Sequence, residues 1–287
     1  MANLNAYYGL PRIRCTGGQS GFFIQSNGDA SRCASFYYDR FEIIGNVCDE
    51  NFRKRIVEGA DKSFQCPKGT CIAECDGHHN SQTIVTKEGM IRHVAERAEA
   101  KDLVGKRHGI LQISITSTCN YKCSYCCADV SMKAYAGKDL SAEAWKDVAT
   151  FFTGVFPAGN VSMLGGEPTV HPGLTGCVKA FMDGGWHVDL FTNLSLPKKV
   201  FELVDGVSEL PRLFVIVSIH PTQKQFSLDK IVDAVCTLGG LGVQYGYSFV
   251  ATPENVQLDK EHGIFERLGR ETKPRWASSI RDVHSKI

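Results

Sequence analysis

From His108 onward, apolar stretches of strand length alternate with longer segments whose apolar residues recur at helical spacing. The strand-like runs are Ile110 to Ile115, Val161 to Leu164, Trp186 to Phe191, Leu213 to Ile219 and Val243 to Val250. Between them lie helix-like segments such as Ser141 to Val155 and Gly173 to Gly184. Ser141 followed by Ala142 and Glu143 is a helix-start signal, because a serine hydroxyl can accept one of the orphan amides of the first turn. Alternation of this kind predicts βαβ units, hence an α/β fold with a parallel sheet. Right-handed crossovers then set the functional loops at the C-terminal ends of the strands.

The N-terminal stretch follows a different rhythm. It carries turn signals at Gly17-Gly18, Asn27-Gly28-Asp29 and Gly45-Asn46, interspersed with Phe22, Phe23, Phe36, Tyr37, Tyr38 and Phe41. Phe22 to Gln25 and Ala30 to Phe36, separated by an Asn-Gly turn, predict a β-hairpin. Lys87 to Lys106 places Ile91, Val94, Ala95 and Ala98 on one helical face. The expected division is a small β-rich module over residues 1–85, a linker helix over 86–108, and the α/β domain over 109–287. No internal repeat or low-complexity tract is present.

Charge narrows the function classes. With 32 Lys plus Arg against 31 Asp plus Glu, the net charge is +1, which speaks against a general nucleic-acid surface. The longest uninterrupted apolar run, Leu213 to Val217, is far short of the roughly 20 residues of a membrane span. Met1 to Gly9 lacks the basic and apolar regions of a secretory signal, so a cytoplasmic location is expected. In that compartment the 12 cysteines stay reduced, and clusters of reduced thiols suggest metal sites rather than disulfides.

The tightest cluster follows the first strand of the α/β part: Thr116-Ser-Thr-Cys119-Asn-Tyr-Lys-Cys123-Ser-Tyr-Cys126-Cys127. Three thiolates on one loop can hold three irons of a [4Fe-4S] cluster, leaving the fourth iron open to chelate a small molecule through an amine and a carboxylate. A structural zinc knot completed by Cys127 or a distant residue is the alternative. One strand later, Val161 to Leu164 runs into Gly165-Gly166-Glu167-Pro168. Such a turn can bind an ammonium group through Glu167 and backbone carbonyls while the glycines permit close approach. The two features sit at the ends of neighbouring parallel strands, where ligands of α/β sheets bind.

This pairing resembles the radical SAM superfamily over roughly Gly109 to Val256. The resemblance implies a partial (β/α)6 barrel, with Cys119, Cys123 and Cys126 as ligands of the catalytic [4Fe-4S] cluster. It also implies that Gly165, Gly166, Glu167 and Pro168 contact the methionine amino group of S-adenosyl-L-methionine. Tyr125 takes the aromatic position near the adenine. Asn193 and Ser218, at later strand ends, take positions where members place polar groups on the ribose or carboxylate. Cys127 has no place in the motif and reads as a spectator thiol. The implied chemistry is one-electron cleavage of the sulfonium C–S bond to a 5′-deoxyadenosyl radical that abstracts a substrate hydrogen atom, with a flavodoxin- or ferredoxin-like protein as electron donor.

The N-terminal cysteines carry a second resemblance. Cys15, twelve residues, Gly28, four residues and Cys33, then Ile44-Gly45-Asn46-Val47 and Cys66-xxxx-Cys71-xxx-Cys75, resemble the SPASM and twitch modules that bind auxiliary [4Fe-4S] clusters. Those modules normally follow the barrel, whereas here the pattern precedes it. The closing run also lacks the family's CxxC. One auxiliary cluster is therefore expected, on Cys15, Cys33 and Cys75 with Cys71 or Cys66 as fourth ligand. The alternative is a structural zinc site, which His78 or His79 could complete. Thr252 to Ile287 is short for the end of a six-strand barrel. Either the barrel is open there or Ser278 to Ile280 forms a minimal last strand.

The expected function is hydrogen-atom abstraction from a peptide or small metabolite, leading to oxidation, epimerisation or crosslinking. The absence of a winged-helix leader-recognition segment leans toward a compact substrate. The alternative is a non-catalytic iron-sulfur or zinc protein for electron transfer or regulation, which would not need Gly165 to Pro168. Modification of tRNA is disfavoured by the neutral charge.

Overall fold

In the computed structural model the described residues are 21–32, 43–58, 108–126, 128–272, 274 and 276–281. Cys15, Cys33, Cys66, Cys71, Cys75 and Cys127 lie outside them, as do His78, His79 and the helix expected from Lys87 to Lys106.

Strands β1 (Gly21–Ile24), β2 (Asp29–Ser31) and β3 (Gly45–Asn46) and helix α1 (Glu50–Glu58) precede the alternating part. That part runs β4 (His108–Ser114), α2 (Asp129–Tyr135), α3 (Ala142–Val155), β5 (Ala158–Leu164), α4 (Leu174–Asp183) and β6 (His187–Thr192). It continues through α5 (Pro197–Asp205), β7 (Leu213–Ile219), α6 (Leu228–Gly240), β8 (Gln244–Ala251), α7 (Pro253–His262), α8 (Ile264–Glu271) and β9 (Trp276–Arg281). The sheet order is β3-β2-β1-β4-β5-β6-β7-β8-β9. Each neighbouring pair from β4 to β9 is parallel. These six strands with their helices form the partial (β/α)6 barrel that the resemblance implies. The sixth strand extends beyond the minimal Ser278 to Ile280 expectation, and α7 and α8 occupy the charged stretch before it.

The strands alternate sides as their sequences require. β5 and β6 bury every second residue, so Val161, Met163, Val188 and Leu190 face the helices. β7, near the middle of the parallel set, is buried almost throughout, as a strand covered on both faces must be. Helix α3 turns Trp145, Val148, Ala149 and Phe152 to the same core. Their i, i+3, i+4, i+7 spacing is the apolar stripe of a helix lying on a sheet. Ser141 caps that helix by accepting from the Ala144 amide, and Ser227 caps α6 from Lys230. Trp186 packs between the starts of β4 and β5 and Phe181 of α4, donating its indole N–H to Phe156 O at 3.0 Å. Gly109 and Gly159 make room for it, since an added Cβ would stand 2.3 and 2.7 Å from its ring.

The N-terminal hairpin is continuous with this sheet. β1 pairs antiparallel with β2 and parallel with β4, Gly21 opposite Ile110 through Ile24 opposite Ile113. Its turn holds Gly28 at φ +88°, a conformation that favours glycine. Two segments that the sequence separates meet here: Asn46 donates its amide to Asn27 O at 3.1 Å and to Asp29 Oδ1 at 3.1 Å. A Cβ on Gly28 would come within 2.8 Å of Asn46 Oδ1.

Candidate functional site

The loop Ile115 to Cys126 leaves the C-terminal end of β4 and is zipped to the end of β5. Ile115 N–H donates to Leu164 O at 3.0 Å, Gly166 N–H to Thr116 O at 2.9 Å and Glu167 N–H to Thr118 O at 2.9 Å. The ladder of the two strands is thus carried past both of them into the thiol loop. The glycines lie close against the loop backbone. A Cβ on Gly165 would stand 2.5 Å from Thr116 O, and one on Gly166 would stand 2.1 Å from Thr118 O. Their lack of a side chain permits this close approach of the loop backbone. Gly165 also takes φ +141°.

Glu167 is 1% exposed. Its Oε1 accepts from the Thr169 amide at 3.1 Å, the Thr169 hydroxyl at 2.6 Å and the Thr192 hydroxyl at 2.7 Å. Its Oε2 accepts from the Asn193 amide at 2.7 Å. Burial pushes the Glu167 carboxyl above its ordinary value, and these four hydrogen bonds pull it back only in part. The carboxylate joins the end of β5 to the end of β6, keeping acceptor capacity at Oε2.

Three further sets of contacts hold the thiol loop. Ahead of Cys119, Asp139 accepts from the Thr116 hydroxyl, from Ser117 N–H at 2.9 Å and from the Ser117 hydroxyl at 2.8 Å. Burial would raise the Asp139 carboxyl, but these bonds outweigh it and hold it below the usual range. Between Cys119 and Cys123, Asn120 exchanges bonds with Asn193 at 3.0 Å and Ser195 at 2.7 Å. The side chain of Gln223, past β7, meets the backbone amide of Lys122 at 3.0 Å. Between Cys123 and Cys126, the Tyr125 hydroxyl lies 3.0 Å from His220 Nδ1.

The thiols of Cys119, Cys123 and Cys126 are all half-buried. Burial raises each of them first, Cys123 to about 11, and their mutual charges add to the rise at Cys119 and Cys123. Among the described residues no three metal-ligating side chains converge on the position of one ion. The donor set is soft sulfur on a single loop, close enough for the charges to interact, and this fits an iron-sulfur cluster with an iron left open. Thiolate binding to iron would displace the protons that burial retains.

The expected residues are thus brought together unequally. Cys119, Cys123, Cys126, Gly165, Gly166, Glu167, Pro168 and Asn193 all lie in the segments that follow the C-terminal ends of β4, β5 and β6. Asn193 is 6% exposed, and its side chain is bonded to Asn120 and Ser195 within the protein. Tyr125 reaches across to β7. Ser218 lies on the strand face away from the helices, opposite Ser248 of β8. Sequence reading missed Asp139, His220, Gln223 and Trp145, whose indole N–H donates to Ile115 O at 3.1 Å. Only Trp145 carried a signal, as the large apolar residue of the α3 stripe. Leu194, beside Asn193, takes φ +54° while 3% exposed. A buried leucine in the left-handed region is strained backbone of the kind that collects at functional sites.

Residues 113–224 match the Radical SAM superfamily. The chain is similar to the 7-carboxy-7-deazaguanine synthase of Thermoplasma acidophilum, at 23% identity over 176 residues, covering 60% of this chain and 77% of that protein. Among solved structures it is similar to Streptococcus suis SuiB bound to S-adenosylmethionine, at 15% identity and TM-score 0.45 over 61% of this chain and 41% of that one. It is also similar to anSMEcpe with bound AdoMet and Kp18Cys peptide, at 14% identity and TM-score 0.47 over 61% of this chain and 51% of that one. The chain therefore covers about half or less of these solved proteins. No helix among the described residues is long and apolar enough to cross a membrane.

Proposed function

We propose that this protein is a radical SAM enzyme that abstracts a hydrogen atom from a peptide or small-metabolite substrate. The observation that carries the reading is the backbone zipper joining the Cys119-xxx-Cys123-xx-Cys126 loop to Gly165-Gly166-Glu167 at the C-terminal mouth of a parallel barrel. Cys119, Cys123 and Cys126 would hold a [4Fe-4S] cluster. When bound with S-adenosyl-L-methionine, that group supplies one-electron cleavage of the sulfonium C–S bond. The chain's own part is to hold and to orient. Asp139, Asn193 and Gln223 fix the loop before any metal arrives. Oε2 of Glu167 offers acceptor capacity to an ammonium group, and Tyr125 offers an aromatic face. Ser218 is the more distant candidate for ribose or carboxylate contact.

The N-terminal part would carry one auxiliary [4Fe-4S] cluster on Cys15, Cys33 and Cys75, with Cys66 or Cys71. The packing of Gly28 against Asn46 supports this, because two elements of the SPASM-like pattern share one local structure. A flavodoxin- or ferredoxin-like donor would supply the electron.

The test is anaerobic reconstitution followed by iron and sulfide analysis, Mössbauer spectroscopy and assay of 5′-deoxyadenosine after dithionite reduction. Close to two clusters and formation of 5′-deoxyadenosine are expected. The combined Cys119→Ala, Cys123→Ala and Cys126→Ala variant should lose 5′-deoxyadenosine formation and keep the N-terminal cluster. Continued cleavage in that variant would overturn the catalytic assignment. Stoichiometric zinc with at most one cluster would overturn the auxiliary one.

A further inference from the structure

We propose that His220, at the end of β7, is the positioning residue for Tyr125, fixing from across the barrel mouth the aromatic side chain that stands between the second and third thiols. This rests on the reading of the thiol loop as a cluster site.

The contact has both a polar and an apolar component. The Tyr125 hydroxyl lies 3.0 Å from His220 Nδ1 and 3.4 Å from Thr222 Oγ1. The two rings stack at 5.9 Å between centroids and 26° between planes. Tyr121 also meets the imidazole, edge-on, at 6.0 Å and 81°. His220 thus contacts both tyrosines that flank Cys123, and 95 residues of chain separate it from Tyr125. Gln223, three residues on, grips Lys122 through both its amide N–H and its carbonyl. The β7 end therefore clamps the loop on both sides of Cys123. A phenol whose hydroxyl is bonded and whose ring is stacked has little rotational freedom, and such locking keeps a binding face in one geometry.

Stereochemistry supplies a test that general packing would not pass. The terminal atoms of asparagine occupy roughly the position of imidazole Nδ1, whereas those of glutamine extend to that of Nε2. His220→Asn should keep the bond to Tyr125, and His220→Gln should lose it. Two readouts are needed, both on the full chain. Urea unfolding of the metal-free protein, in a cycle of Tyr125→Phe, His220→Ala and the double variant, should give non-additive losses. Additive losses would overturn the contact. Titration of the reduced cluster's electron paramagnetic resonance signal with S-adenosyl-L-methionine reads positioning. Half-saturation should rise roughly two- to tenfold in Tyr125→Phe, His220→Ala and His220→Gln, the span of one hydrogen bond. It should stay within about twofold of the unaltered protein in His220→Asn, on the same principle. Equal behaviour of the Asn and Gln variants would overturn the positioning role while leaving the cluster reading intact. If the unaltered protein assembles no cluster, the cluster reading and the positioning role both fall, and the unfolding cycle still decides whether the contact exists.

Discussion

A side chain on Gly166 would place its Cβ 2.1 Å from the carbonyl oxygen of Thr118, and Thr118 directly precedes the first thiol. The obstacle is backbone, which cannot swing aside as a flexible side chain would. Gly166→Ala should therefore push the loop off the β5 end. A loss of about 1–3 kcal/mol is expected for such overpacking, together with reduced iron uptake. Gly176→Ala in α4 is the contrast, because a Cβ there meets nothing within 4 Å. It should be neutral or stabilise by up to about 1 kcal/mol. Thermal unfolding with parallel iron analysis of both variants checks the pair.

Glu167→Gln should cost stability as well as cofactor affinity. Each carboxylate oxygen accepts from a backbone amide, Thr169 at Oε1 and Asn193 at Oε2. Whichever way a glutamine amide turns, its NH2 group faces one of those N–H donors. A buried donor left unsatisfied costs about 1–3 kcal/mol. Urea unfolding of the metal-free variant measures this, and a stability equal to that of the unaltered chain would remove Glu167 from the joint between β5 and β6.

Acid should weaken the metal-free fold through His220. Burial pushes its imidazole from 6.5 down to about 4, so between these values the unfolded chain takes up a proton that the folded chain refuses. The stability it contributes is present above pH 6.5 and declines as pH falls toward 4, by at most about 3 kcal/mol. In His220→Asn that part of the dependence should vanish. Unfolding free energies across this pH window give the slope directly.

Replacing Cys119, Cys123 and Cys126 by Ala should leave the metal-free barrel folded. The thiols are half-buried, while the loop is held by Asp139, Asn193 and Gln223 through other residues. A shift in unfolding temperature of no more than a few degrees is expected, on the scale of about 1 kcal/mol. A collapse of the transition would mean that the thiols themselves hold the loop.

The alternating part was legible in the chain from Ile110 to Val250 because burial on one side of a strand or helix imposes a period on the sequence. β7 is read to the residue, and the ends of α3 and α4 are marked by Ser141 and by Gly173 and Gly184. The last strand was only half legible. β9 lies at the sheet's edge with one pairing neighbour, β8, and its sequence, Trp-Ala-Ser-Ser-Ile-Arg, holds no sustained apolar run. The thiols and the Gly-Gly-Glu-Pro turn were visible because metal and backbone chemistry demand particular residue types at short spacing. What the glycines and Glu167 touch was not visible. Gly166 against Thr118, Glu167 against Thr192 and Asn193, and Tyr125 against His220 are meetings between segments up to 95 residues apart. Local composition determines which residues can donate, accept or make room. Only the parallel pairing of the strands, which brings the ends of β4 to β8 to one side of the sheet, decides which of them meet.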